Sequence, residues 1–120
     1  MAQQDRVVSL HPYFRISEGK MAEAVRLCDR FVAATATEAK CLYYSFSFNG
    51  AEMFCREAYE DAEGLLAHLT NVESLLKELL NLAELIRLEV HAPADELAKL
   101  EQPLSDLKPT CFTVQPGIRR

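Results

Sequence analysis

The sequence predicts an α+β fold: a ferredoxin-like βαββαβ core with an antiparallel sheet, helices on one face, and an extra C-terminal helix and strand. Three observations carry this prediction. Apolar and polar residues alternate along Val7–Ile16, Cys41–Tyr59 and Glu84–His91, the period-two signature of strands with one buried face. Between them, Met21–Ala34 and Leu65–Leu79 carry apolar residues at helical spacing. The dipeptide Asn49-Gly50 in mid-chain marks a hairpin, because both central residues of a type I′ turn need positive φ.

In the first strand Val8, Leu10, Pro12, Phe14 and Ile16 share one face, and His11, Tyr13 and Arg15 the other. Pro12 lacks an N–H, which predicts a sheet edge or a bulge. Ser17-Glu18-Gly19-Lys20 is turn chemistry, and the first helix then presents Met21, Ala24, Val25, Cys28, Phe31 and Val32. The hairpin strands are Cys41–Phe48 and Glu52–Tyr59. A turn centred on Asn49-Gly50 pairs Phe48 with Ala51, Phe46 with Met53, Tyr44 with Cys55 and Leu42 with Glu57, and sets Cys41 near Ala58. Those paired residues share a face, apolar up to Cys55 and then continued by Glu57 and Tyr59.

Asp61 is the N-cap of the second helix, with Glu63 favoured at the positive end of its dipole. Its stripe is Leu65, Leu69, Val72, Leu76, Leu79 and Ala83, and Thr70-Asn71 either interrupts or recaps it. Next comes a strand with Ile86, Leu88 and Val90 opposed to Arg87, Glu89 and His91. Pro93 opens a short helix, Ala94–Glu101, which Pro103 ends. Thr110–Gln115 is the last strand.

At 120 residues the chain reads as a single domain, 1–120, with its core at about residues 7–114. A net charge of −5 with no basic stripe excludes nucleic acid as an expected partner. The opening MAQQDRVVSLHP has no apolar run of signal-peptide length, and no segment approaches a membrane span, so the expected location is cytoplasmic. Cys28, Cys41, Cys55 and Cys111 show neither Cys-x-x-Cys nor metal spacing, and all four read as small buried hydrophobes.

Glu57 and His68 are the candidate acid–base pair. A carboxylate on an apolar face is costly unless paired or protonated. Glu57 therefore reads either as a rim salt bridge or as a carboxyl of raised pKa that accepts a substrate proton. His68, at the edge of the helical stripe, reads as a boundary histidine or as a general base. Tyr59 and Tyr44 read as core aromatics with a wet hydroxyl or as site residues. The opposite sheet face carries His11, Tyr13, Tyr43, Arg56, Arg87 and His91. Its aromatics and mixed charges suit either water or a second copy of the chain.

Three stretches resemble the antibiotic biosynthesis monooxygenase (ABM) family over about Val7–Val114: Ser17-Glu18-Gly19-Lys20, Cys41-Leu42-Tyr43-Tyr44, and Arg56-Glu57-Ala58-Tyr59-Glu60-Asp61 followed by Leu66-Ala67-His68-Leu69. In that family the strand commonly reads Glu-x-Trp-acidic and the helix Ala-His-Leu. Glu57 and His68 match, Tyr59 stands at the Trp position, and the chain contains no Trp. Glu73 stands where a second His often follows, which removes much of the support for haem degradation. The resemblance implies a homodimeric α/β barrel whose sheets face each other. It also implies a monooxygenase that oxidises a small phenolic or quinol-type substrate with dioxygen and no cofactor. Glu57, His68 and Tyr59 would be catalytic, and Phe14, Tyr44, Phe46, Met53 and Leu65 would form the pocket. Two alternatives stay open: a non-catalytic dimeric module for a small aromatic ligand, and an isomerase or lyase on the same scaffold.

Overall fold

A computed structural model describes residues 3–120. Its elements are β1 (Val8–Ile16), α1 (Met21–Thr35), β2 (Cys41–Asn49), β3 (Glu52–Tyr59), α2 (Ala62–Asn71), α3 (Glu73–Leu79), β4 (Ala83–Ala92), α4 (Ala94–Leu100) and β5 (Thr110–Thr113). They form one five-stranded sheet ordered β2-β3-β1-β4-β5. Four strands pair antiparallel, and β5 joins β4 in parallel. This is the α+β, ferredoxin-like arrangement that the sequence predicts, with an added helix and strand. Among the described residues no helix is long and apolar enough to cross a membrane.

The hairpin differs in register. Asn49 pairs with Glu52, so Gly50 (φ +57°) and Ala51 are the turn residues. Glycine first in the turn, alone with positive φ, is the II′ pattern rather than I′. Phe48 consequently pairs with Met53, Phe46 with Cys55 and Tyr44 with Glu57. The partners move by two residues, so every side chain keeps its face. Leu42 falls at an irregularity between Cys41↔Tyr59 and Tyr43↔Ala58, which brings Cys41 opposite Tyr59 rather than Ala58.

Pro12 lies in the central strand, not at an edge. The ladder to β3 lapses at His11 and Pro12, and the ladder to β4 shifts between Tyr13 and Phe14. That shift places Leu85, not Ile86, opposite Phe14, and Leu85 packs against the core beside Leu88 and Val90. In α1 the buried face is Ala24, Leu27, Cys28, Phe31 and Thr35, whereas Met21, Val25 and Val32 are exposed. The second helical region breaks at Val72, one residue beyond Thr70-Asn71. Cys28 and Cys55 are buried, but Cys41 is half-buried and Cys111 exposed, against the expectation of four buried thiols.

Two core clusters lie between sheet and helices. One joins Phe14, Phe31, Met53 and Leu79, the other Val8, Tyr59, Leu65, Val90 and Leu104, and Leu85 touches both. α2 is pressed tightly onto the hairpin: a Cβ on Gly64 would lie 2.9 Å from Lys40 Cβ and 3.2 Å from Tyr59 Cβ. Asp61 caps this helix by accepting the Gly64 N–H at 2.9 Å. Glu96 of α4, wholly buried, accepts the Ala62 N–H at 2.8 Å and pairs with Arg6 and Lys99. Glu96 thus fixes the start of α2, the helix that carries His68.

Glu96→Ala strands the Ala62 N–H and leaves a small void, and we expect a loss of about 2–3 kcal/mol. Glu96→Gln, which keeps the acceptor, should lose less than half of that. Urea unfolding followed by circular dichroism measures both.

Candidate functional site

β3 places Glu57 between Leu10 of β1 and Tyr44 of β2, at the seam between the two core clusters. There a cavity of about 60 Å³ opens between sheet and helices, room for a handful of water-sized spheres. Its walls are apolar, drawn from Leu10, Phe14 and Phe46 on the sheet and Leu69, Val72 and Leu104 on the helical side. Tyr44, Cys55, Glu57 and His68 supply its polar atoms.

The Glu57 side chain is only 3% exposed. Oε1 accepts the Tyr59 hydroxyl at 2.6 Å and lies 3.7 Å from His68 Nε2, a gap too long for a hydrogen bond. On the far side of the ring, His68 Nδ1 sits 2.9 Å from Glu38 Oε2. A carboxylate only accepts, so Nδ1 carries the ring proton and Nε2 turns its lone pair towards Glu57. Asn71 Nδ2 donates to Glu38 Oε2 at 2.8 Å and to the Ala34 carbonyl at 2.9 Å, pinning Glu38 across the helix break.

Burial pushes Glu57 up to about 7, against hydrogen bonds from Tyr59 and Cys55 that hold it down. Burial also lowers His68, although Glu38 pulls it the other way. Tyr59, Tyr44 and Cys55 are all raised by burial, with Glu57 adding to it. The site therefore holds a carboxyl poised near neutrality beside a neutral imidazole, a pairing suited to proton transfer.

Of the candidate residues, the structure gathers Glu57, His68, Tyr44, Phe14 and Phe46 around the cavity. Tyr59 is fully buried behind Glu57 and touches it rather than the cavity. Met53 packs against the Cys28 sulfur at 3.5 Å, and Leu65 lies within the second core cluster. Neither belongs to the cavity wall, because each points into a core cluster on one side of the seam. Glu38 and Asn71 were not singled out by the sequence. Glu38 stands in a loop without periodicity, and its contact with His68 spans 30 positions. The helix break near Asn71 was the one available signal.

No protein-family model matches the chain, and no curated protein is similar to it. Solved structures are. MupZ from Pseudomonas fluorescens is 43% identical, with 97% of this chain and 96% of that one covered and a TM-score of 0.92. A candidate antibiotic biosynthesis monooxygenase from Chloroflexus aurantiacus is 16% identical, with coverage of 73% and 93% and a TM-score of 0.61. SnoaB from Streptomyces nogalater, a cofactor-independent oxygenase, is 13% identical, with coverage of 70% and 87% and a TM-score of 0.60. The last two are similarities of fold.

Because burial raises Glu57, the folded state holds its proton more tightly than the unfolded chain does. Its contribution to stability is therefore full below about pH 4.5 and fades as pH rises to about 7. We expect Glu57→Gln to flatten this decline and to raise the melting temperature at pH 8, by up to roughly 3 kcal/mol in stability. Thermal melts of both proteins from pH 4 to 8 test this, and parallel curves would refute it.

Proposed function

Since this chain belongs to the antibiotic biosynthesis monooxygenase-fold family, alongside MupZ, we propose that it is an acid–base enzyme for a small, electron-rich phenol or quinol. In this reading Glu57 removes the phenolic proton and the resulting anion reacts with dioxygen. For a naphthol, oxygen adds at a ring carbon and loss of one water leaves the quinone, so the two substrates account for every atom. No flavin, haem or metal is required.

The observation that carries this reading is Glu57 itself: a carboxyl in an apolar seam, near neutral in pKa, with Tyr59 on one oxygen and an imidazole lone pair facing it. Tyr59 acts by positioning, since it touches Glu57 and not the cavity. The cavity is narrower than the ~300–1,000 Å³ of ordinary ligand pockets, so substrate entry has to displace leucine side chains in its wall. One observation favours a second reading. The chain Tyr59–Glu57–His68–Glu38 is a complete acid–base set in which nothing calls for oxygen, which suits an isomerase or lyase equally.

The face away from the helices supports a homodimer. Rings of Tyr13 and Phe54 (4.8 Å), His11 and His91 (4.6 Å), and His91 and Phe112 (4.5 Å) form a strip across the sheet. Arg56 lies over Tyr43, Arg87 over Tyr13, and Arg87 also pairs with Glu89. Half-buried and exposed aromatics with charges of both signs suit a two-fold contact, in which each Arg can meet the other copy's carboxylate.

Oxygen uptake with a panel of quinols and naphthols tests the reaction. Glu57→Gln and His68→Ala should each lower turnover about 10²–10⁴-fold. Equal rates in all three proteins would sink the assignment, and turnover without oxygen uptake would favour the isomerase or lyase. Light scattering should give twice the 13.5 kDa chain mass, falling to one chain mass in Arg87→Glu. A monomeric wild type would overturn the dimer.

A further inference from the structure

The buried acid–base group has an outlet on the side away from the apolar cavity. Glu38 lines a shallow outer cleft of about 230 Å³ together with Val32, Thr35, Ala36, Cys41 and Tyr44. Tyr44 belongs to both walls, with the cavity on one side and the cleft on the other. Glu38 is 9% exposed at its side chain, His68 and Glu57 only 3%, so exposure rises outward along the series.

From this geometry we infer that His68 and Glu38 form a proton conduit between Glu57 and solvent in the outer cleft. The inference rests on the acid–base reading above and adds a route that substrate does not occupy. Going outward, the Glu57 O–H bond breaks as an Nε2–H bond forms on His68. In the same step the Nδ1 proton moves along the 2.9 Å hydrogen bond to Glu38 Oε2, so the ring stays neutral, and Glu38 releases the proton to water. Glu57 is left as a carboxylate, Glu38 returns to one, and the ring is neutral with its proton on Nε2. The inward transfer, one proton from solvent to Glu57, restores the first tautomer. Only the 3.7 Å step from Nε2 to Glu57 Oε1 has to close, by about 1 Å, to reach hydrogen-bond range.

The groups around the ring direct protons along this line. Tyr44 from β2 and Tyr59 from β3 flank it at 5.0 and 5.1 Å between centroids, and both hydroxyls are held above the usual phenol range. Cys41 in the cleft is pushed up to about 11 by burial and stays a thiol. Asn71 is neutral and holds Glu38 in place. That leaves Glu38 as the acceptor at Nδ1.

The test needs no substrate. In ¹⁵N-labelled full chain, NMR reads the rate at which the His68 Nδ1 proton exchanges with water, with the α2 backbone amides reporting any opening of the helix. Glu38→Gln keeps an acceptor for the ring but cannot carry a proton, and exchange should slow at least tenfold while the α2 amides exchange as before. Glu38→Asp, which still titrates, should recover most of the rate. Equal slowing in both variants, or none in Glu38→Gln, would overturn the conduit. In the wild type, added buffer base should accelerate the ring proton and leave the α2 amides unchanged. Absence of that acceleration overturns the conduit even if the variants do not fold. An inactive substrate panel would count against the proposed reaction and leave the exchange result standing.

Discussion

The hydrogen bond from the Tyr59 hydroxyl to Glu57 Oε1, 2.6 Å long and wholly buried, joins two residues of one strand on one face. Strand geometry puts both side chains under α2, and the near approach of Gly64 to Lys40 and Tyr59 closes the helix over them. Burying an ionised carboxylate there would be very costly. Burial therefore drives Glu57 towards the protonated form, and the Tyr59 donor restrains that drift. The balance leaves it close to 7, where a single group can both take and return a proton.

The seam that houses Glu57 follows from how the core is divided. Neither cluster closes over it, because the sheet contributes Leu10 and Leu88 to one side, Phe14 and Met53 to the other, and only Leu85 to both. The bulge beside Pro12 helps create this arrangement. A proline in a central strand cannot complete its ladder, and the neighbouring shift turns Leu85 inward in place of Ile86. The same irregularity that disturbs the sheet thus supplies a wall of the cavity.

Most of the architecture was legible because it depends on periodicity. Strand alternation placed Glu57 and Tyr59 on the helix side even though the turn was centred one residue away from its true position, since the resulting shift of two preserves faces. Asp61 was readable as a cap because its chemistry is local. What could not be read was long-range. Pro12 fits an edge or a bulge equally, and only the order of strands shows that β1 is central and that the irregularity beside the proline is the alternative taken. On α1 the spacing marks Ala24, Cys28 and Phe31, which do face inward, but also Met21, Val25 and Val32, which are as apolar yet exposed, and packing alone separates the two sets. Glu38 was invisible, as a loop carboxylate carries no pattern before its partner is brought to it.

Tyr59 ties these threads together. Where the family commonly has Trp, this chain has a phenol, and the two differ in what they offer a neighbouring carboxyl. Tyr can donate from the tip of its ring, and here the tip reaches back to Glu57 two positions earlier on the same strand. Burial alone would hold Glu57 higher, and the Tyr59 hydrogen bond is the largest influence that lowers it. On the other side His68, kept neutral by burial and held by Glu38 in its resting tautomer, presents a base without adding a charge. The carboxyl is thus tuned from two directions by groups that stay uncharged at neutral pH, and the charge nearest to it, on Glu38, lies beyond the ring at the edge of solvent. That separation lets a buried acid exchange its proton without stabilising a second charge inside the apolar seam.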